Sequence, residues 1–244
     1  MRQEECHYHW GKYLNGRQES WTCCGQAEFS VGCTVADNHV WSGVHHGVNG
    51  PFLNFKRAKS CLSVPGRVIN PGVYSLDCEM CYTKNGLELV KITVLDISGN
   101  LVFESFVKPE ARIIDYNTRF SGITKKDLSS IKTTLKEVQY ELLQFIYAET
   151  ILIGHGLEND LRVLKIIHPK VIDTAMIFPH EWGLPYRRSL RSLARIYLRR
   201  FIQMDYHDSA EDARSAGDLI LLKLACDYTQ VELYYDYHYP IYRY

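Results

Sequence analysis

Val73-Tyr74-Ser75-Leu76-Asp77-Cys78-Glu79-Met80 alternates apolar and polar side chains, the two-residue period of a β-strand. Strand side chains point to opposite faces in turn. Leu76, Cys78 and Met80 therefore face one way, and Asp77 and Glu79 together face the other. Two acids on one face of an apolar strand repel each other and lose hydration when buried. A bound cation reverses that cost. Without a cation the same pattern describes an edge strand with two solvated acids.

Outward from this stretch, Leu89 to Ile97 reads as a second, β-branched strand and Leu101 to Val107 as a third. Ser98-Gly99-Asn100 is a turn between them, so the strands form an antiparallel meander. Helical spacing over Leu135 to Tyr147 follows, then a short apolar strand from Thr150 to Ile153 that ends at Gly154. Leu157, Leu161 and Leu164 make a helix stripe, and Lys170 to Ile172 is a short strand ending at Asp173. Ser189 to Ile202 and Ser209 to Ala225 are two further helices. Three strands followed by alternating helix and strand predict an α/β fold, a mixed sheet with helices packed on it.

This domain spans residues 73–228. Before it, residues 42–72 carry the breakers Gly50-Pro51, Pro65-Gly66 and Pro71-Gly72 and read as a connector. Residues 1–41 are rich in Cys, His, Gly and Trp, too short to bury a core, and in need of a staple. The tail, residues 229–244, holds six tyrosines from Tyr234 to Tyr244, for which sequence offers no physical account.

Composition excludes several classes. The 244 residues carry 28 Lys+Arg against 28 Asp+Glu, so attraction to nucleic acid must come from a local patch. No apolar run approaches the ~20 residues of a membrane helix. The polar, acidic start Met1-Arg2-Gln3-Glu4-Glu5 is no secretory signal. On that reading the eight cysteines are free thiols or metal ligands rather than disulfides. Cys6, His9, Cys23, Cys24, Cys33 and His39 crowd the first segment and suit tetrahedral Zn²⁺, which takes four N/S ligands. Spacing does not say which four. Cys78 and Cys81 belong to one strand and face opposite sides, so they are not a metal or redox pair.

Two more acids stand out. Asp160 is three residues from Leu157 and four from Leu164, so it shares their inward stripe. It is either an acid with a buried partner or one that complements a helix N-terminus. In His207-Asp208-Ser209-Ala210-Glu211-Asp212, Asp212 fits a capping box with Ser209, as Glu211 does with Asp208, so Asp212 is either a cap acid or a ligand. Ala210, Ala213, Ala216 and Gly217 give that helix a side that can approach another element closely. His207, just ahead of it, is the residue type suited to a general base.

Strand Asp-x-Glu, helix Asp in Gly-His-x-Leu-x-x-Asp, and His-x-x-x-x-Asp stand in the order of the three motifs of the DEDDh 3′–5′ exonucleases. With Tyr116-Asn-Thr-Arg-Phe-Ser-Gly-Ile-Thr124, Ile153-Gly-His155, Asp173-Thr174 and Leu184-Pro-Tyr186, residues 73 to 225 closely resemble the RNA exonuclease 1 (Rex) branch. The resemblance implies an RNase H-like fold with a five-stranded mixed sheet. It implies Asp77, Glu79, Asp160 and Asp212 as ligands of two Mg²⁺ or Mn²⁺ ions, Asp77 bridging both, and His207 as the base. It also implies an RNA substrate with a free 3′ end, release of nucleoside 5′-monophosphates and a nuclear location. Met80, Asn117, Phe120 and Ile123 correspond to residues that line the terminal nucleotide, although Phe120 and Ile123 read equally well as core. The N-terminal cluster is similar to the CHORD type of zinc module, lacking an upstream cysteine pair. One complete zinc site is expected, for RNA docking, protein docking or stapling alone.

Residues 187–200 hold Arg187, Arg188, Arg191, Arg195, Arg199 and Arg200 and no acid. Arg188, Arg191, Arg195 and Arg199 fall on one helix face and read as a phosphate track. Two rival functions stay open: the same chemistry on DNA or very short oligonucleotides, and an idle nuclease fold serving as an RNA- or protein-binding module.

Overall fold

A computed structural model describes residues 5–14, 19–36, 54–63 and 69–229. His39 and most of the tyrosine-rich tail lie outside the described residues. The chain divides into an N-terminal unit and a larger unit that carries the sheet.

In the larger unit the two long strands β1 (Val73–Thr83) and β2 (Gly86–Asp96) form a hairpin. Both run past the sequence expectation, to a two-residue turn at Lys84-Asn85. The signal for it is Asn85-Gly86, whose glycine takes a φ of 97°. Strand β3 (Leu101–Phe106) pairs with β2. The turn between them is held by Asp96, whose carboxylate accepts from the Ser98 and Asn100 amides, each at 2.9 Å.

β4 (Ile113–Asp115) pairs antiparallel with β1, and β5 (Ile151–Gly154) pairs parallel with both β1 and β6 (Val171–Asp173). The order is β6-β5-β1-β2-β3, with β4 on the far end of β1, so the sheet has six strands rather than the expected five. The reason is length. β5 covers only Val73 to Ser75 of β1, and β4 covers Tyr82 and Thr83 at the other end of the same edge.

One face of β1 sends Leu76 and Cys78 into the main core with Val138, Leu142, Leu157 and Leu164. These come from helices α1 (Leu135–Leu142) and α2 (Glu158–Leu164), and from the residue just before α2. Cys81 packs on the other face with Val90 and Leu128, so the two cysteines do face opposite sides. The long helix α4 (Ser209–Thr229) lies across β1 and β2. Ala213 and Ala216 are fully buried, and a Cβ on Gly217 would lie 3.3 Å from Ser75 Oγ. This is the close approach that the small side chains predict.

The helix expected over 189–202 is shorter. α3 (Leu190–Leu193) passes into a π turn over Ala194–Leu198, and Arg199 ends it in the left-handed region, φ 54°. Within the stretch read as a connector, Lys56–Arg57 pairs parallel with Ile166–Ile167. Ser60 Oγ and the Cys61 amide both donate to Glu149. Residues 54–63 are thus built into the sheet unit. In the N-terminal unit, Cys6–Tyr8 pairs with Thr34–Ala36 and Tyr13–Leu14 with Ser20–Trp21.

Candidate active site

The gap between β5 and β4 along the edge of β1 is where the acids gather. There the Cys78 amide donates to Asp160 Oδ1 at 2.9 Å, and Asn117 Nδ2 reaches the Met80 carbonyl at 3.4 Å. On the opposite edge a β-bulge shifts the register between Glu79 and Met80, which face Lys91 and Leu89. Bulges of this kind bend a strand and re-aim its side chains. Glu79 is 6% exposed and Asp77 half-buried.

Asp160 stands in the first turn of α2 and is 4% exposed. The turn before it is fixed by Asp173, whose carboxylate accepts from the Gly156, Leu157 and Ala175 amides at 2.8, 3.1 and 2.9 Å. Asp173 is therefore a structural acid that aims the start of α2.

Asp212 is 2% exposed. The capping alternative is settled by its neighbour: Asp208 Oδ1 accepts from the Ala210 and Glu211 amides at 2.9 and 3.0 Å. Asp212 Oδ2 accepts from Gln203 Nε2 at 2.7 Å and lies 3.2 Å from His207 Nδ1. Its Oδ1 is buried with no hydrogen-bond partner among the described residues, as is Glu79 Oε1. Nothing in the sequence marks Gln203. It reaches the site because its backbone is left-handed, φ 54°, and its own amide donates to Glu211.

The acids sense one another. Burial, then repulsion from Asp160, Asp212 and Glu79, holds the Asp77 carboxyl well above the usual range. Burial and the charge of Asp212 push Glu79 up to about 9, against the pull of Lys91. Burial pushes Asp160 up to about 8, opposed by its hydrogen bonds with Cys78. A buried, oxygen-only set with two unpartnered carboxylate oxygens is what hard divalent cations require. The residues fit the ions that the fold implies.

His207 is half-exposed beside this cluster. Its amide donates to the Phe120 carbonyl at 2.7 Å, and its ring meets Phe120 edge-on at 6.2 Å. Gly122 is left-handed, φ 67°, and a Cβ there would strike the Tyr206 ring at 2.5 Å, so the two loops press together. A cleft runs past Glu79, Lys91, Gly122, Tyr206 and His207. No local sequence pattern points to Tyr206 or Lys91, which the fold brings to the cleft.

Of the expected base contacts, Phe120 is 38% exposed and Met80 half-buried. Ile123 is 5% exposed and packs with Cys81, Val90 and Leu128; of its two readings, core is the one observed. Asn117 is left-handed, φ 55°, its amide donating to Asp115. In the arginine-rich segment Arg187 pairs with Glu158, Arg188 with Glu181 and the Pro179 carbonyl, and Arg200 with Asp218. Arg191 and Arg195 are exposed. The acids missing from the local sequence arrive from elsewhere in the fold, so the track is partly neutralised.

In the N-terminal unit, one ligand atom each from His9, Cys23, Cys24 and Cys33 lies within 4.8 Å of the others. His9 Nδ1 is 3.5 and 3.4 Å from the Cys23 and Cys24 sulfurs, and its Nε2 is 3.2 Å from the Ser30 carbonyl. Cys6 is outside this group.

The chain is 48% identical over 231 residues to Exonuclease GOR of Pan troglodytes, covering 92% of this chain and 33% of that one. It is 46% identical over 234 residues to the human RNA exonuclease 1 homolog, covering 93% of this chain and 19% of that one. The chain thus spans a third or less of these two curated relatives. Among solved structures, the Pan2 catalytic unit (protease and nuclease domain) of Neurospora crassa matches with a TM-score of 0.62. Its identity is 27%, over 72% of this chain and 31% of that one. The exonuclease (RNase T) family model matches residues 75–220, from the strand of Asp77 through the helix turn of Asp212, and on that match the chain belongs to the exonuclease family.

Proposed function

We propose that this protein is a metal-dependent 3′–5′ exoribonuclease that shortens the 3′ tails of structured RNAs and releases nucleoside 5′-monophosphates. The observation that carries the reading is the convergence of Asp77, Glu79, Asp160 and Asp212, with Glu79 Oε1 and Asp212 Oδ1 buried and open. The printed names of the relatives support RNA as the substrate. These four carboxylates would hold two Mg²⁺ or Mn²⁺ ions. When bound, such ions supply an activated water and charge stabilisation for the leaving 3′-oxygen.

The protein's own part is proton transfer and positioning. His207 Nδ1 faces Asp212 Oδ2, which orients the ring and leaves Nε2 as the atom that accepts the proton of the attacking water. Gln203 shares the same carboxylate oxygen, so Asp212 Oδ1 stays available to a cation. Phe120 offers an aromatic face beside the base, suited to stacking on the terminal nucleotide.

Substrate ends test the reading. A 3′-phosphate should block degradation of a labelled RNA that is consumed when it ends in 3′-OH. Ribose should be preferred over deoxyribose, as for a site that reads the 2′-OH. Equal rates on matched DNA and RNA would defeat the RNA assignment, and cleavage of circular RNA the exonuclease assignment.

We assign one Zn²⁺ to His9, Cys23, Cys24 and Cys33. Tetrahedral ligands about 2.3 Å from the metal stand about 3.7 Å apart, close to the 3.4–4.0 Å separations around Cys23 and Cys24. The Ser30 carbonyl on His9 Nε2 is the partner that fixes a ligating tautomer. Purified protein should contain one zinc. A chelator that strips it should unfold residues 1–41 while the larger unit keeps its melting transition. Loss of the whole fold on chelation, or zinc-free protein with the N-terminal unit folded, would refute the assignment. We place the protein in the nucleus on its resemblance to the Rex branch; imaging of the tagged protein tests this.

A further inference from the structure

The larger unit carries a second basic surface, assembled from three separate stretches of the chain. Lys56, Arg57 and Lys59 come from the segment before the sheet, Lys136 from α1, and Lys165 from the end of α2. They line one groove of about 830 Å³ together with Tyr140, and Glu110 is its one acid. On α1, Lys136 and Tyr140 stand four residues apart and share a face. Glu137 is engaged in the capping box with Thr134.

The groove is built rather than incidental. Gln139, buried beneath it, donates to the Leu164 and Lys165 carbonyls at 2.8 and 3.1 Å. The Lys56 amide donates to the same Lys165 carbonyl at 2.8 Å. Thus α1, the end of α2 and residues 54–59 are fastened at one point. Among the described residues, none of these five cations takes part in an ion pair. By contrast, Arg187, Arg188 and Arg200 of the arginine-rich segment all meet carboxylates. In a chain of zero net charge, five cations facing Glu110, with Glu88 near Lys165 in the adjoining cleft, are a local field that calls for an anionic occupant. Tyr140, 66% exposed on the wall, adds a ring that bases stack on.

The groove also connects to the catalytic strand. A narrower cleft lined by Met80, Leu89, Asn159 and Arg162 shares Glu110, Leu135 and Lys165 with it. Met80 and Asn159 are the chain neighbours of Glu79 and Asp160.

We propose that this groove is a second docking site for the substrate, holding the sugar-phosphate backbone of the RNA upstream of the 3′ end under attack. The inference rests on the exoribonuclease reading above and adds where the body of the RNA lies. It makes affinity depend on RNA length, because a short oligonucleotide fills the catalytic cleft and never reaches the groove.

The test is a charge reversal in the full chain, Lys56→Glu with Arg57→Glu and Lys136→Glu. Lys136→Glu alone is a milder variant, and melting curves accompany both. kcat/KM is measured on a 4-nucleotide and a 30-nucleotide single-stranded RNA of common 3′ sequence, over a range of salt. Wild type should favour the 30-mer. The triple variant should lose ~10-fold or more on the 30-mer, with the salt slope shallower by about 2, as for three lost single-strand phosphate contacts. The tetranucleotide should be degraded at the wild-type rate. Equal losses on both RNAs, or no loss on either, would overturn the proposal; the second result would hand the groove to an acidic protein partner. If wild type degrades neither RNA, the exonuclease reading fails. The groove is then judged by fluorescence anisotropy of the labelled 30-mer, and unchanged binding by the triple variant overturns it.

Discussion

Asp212→Asn is expected to keep the fold and to reduce hydrolysis of labelled RNA to background. The side chain is 2% exposed and lies beside Asp77, Glu79 and His207. Asparagine matches its shape, and its amide oxygen still accepts from Gln203. Capping is unaffected, because Asp208 performs it. What asparagine removes is the charge of a buried oxygen that has no protein partner. A carboxylate whose role is to hold a cation loses that role with its charge, whereas a merely structural acid would not. His207→Ala should cost less, ~10²–10⁴-fold, the usual contribution of a general base. Its metal affinity should stay near wild type, since His207 is not among the four carboxylates. The two variants are compared by single-turnover rates with Mg²⁺ saturating, alongside melting curves. Near-wild-type hydrolysis by Asp212→Asn would remove it from the site. An unchanged rate in His207→Ala would mean that the water gives its proton elsewhere.

The parts of this site that sequence discloses are those carried by local periodicity. Asp77 and Glu79 share a face because strand geometry leaves no alternative. Asp160 points inward because Leu157 and Leu164 do. The small side chains of α4 imply the contact that Gly217 makes with Ser75. What local pattern hides is whatever depends on a partner far along the chain. β4 exists because β1 outruns β5, a fact about two lengths in three dimensions. Residues 54–63 look like a connector until Glu149 and Ile166–Ile167 are brought to them. The arginines of 187–200 appear unopposed until Glu158, Glu181 and Asp218 arrive. The basic run Lys56-Arg57-Ala58-Lys59 and the distant Lys136 and Lys165 appear unrelated until Gln139 ties their supports together. The same holds for Gln203, a polar residue in a loop whose placement depends on one left-handed backbone position.

Without divalent cations, the larger unit should become less stable as pH rises, the reverse of an ordinary acid-sensitive protein. Burial and mutual repulsion place Glu79 at about 9 and Asp160 at about 8, and hold Asp77 well above its usual range. In the unfolded chain these groups titrate near ~4. Between those limits the folded protein binds protons that the unfolded chain does not. The unfolding free energy therefore falls with each pH unit. Below about pH 4 both states are protonated and the effect vanishes. From there toward pH 8–9 the penalty grows as the cluster is forced to ionise. Cations that bind the folded state alone should stabilise it through linkage, and most strongly at the alkaline end. Glu79→Gln makes the argument specific. It replaces a buried acid by a neutral group of similar shape, so the metal-free variant should melt higher than wild type at pH 8, by more than about 4 °C if the gain reaches ~2 kcal/mol. At pH 5 the two should melt alike. Added Mn²⁺ or Mg²⁺ should raise the wild-type transition at pH 8 and move the variant far less. The measurement is melting temperature against pH for both proteins, in cation-free buffer and with cation added. A wild-type transition that is flat from pH 5 to 9 without cation would mean that the acids do not share one buried site.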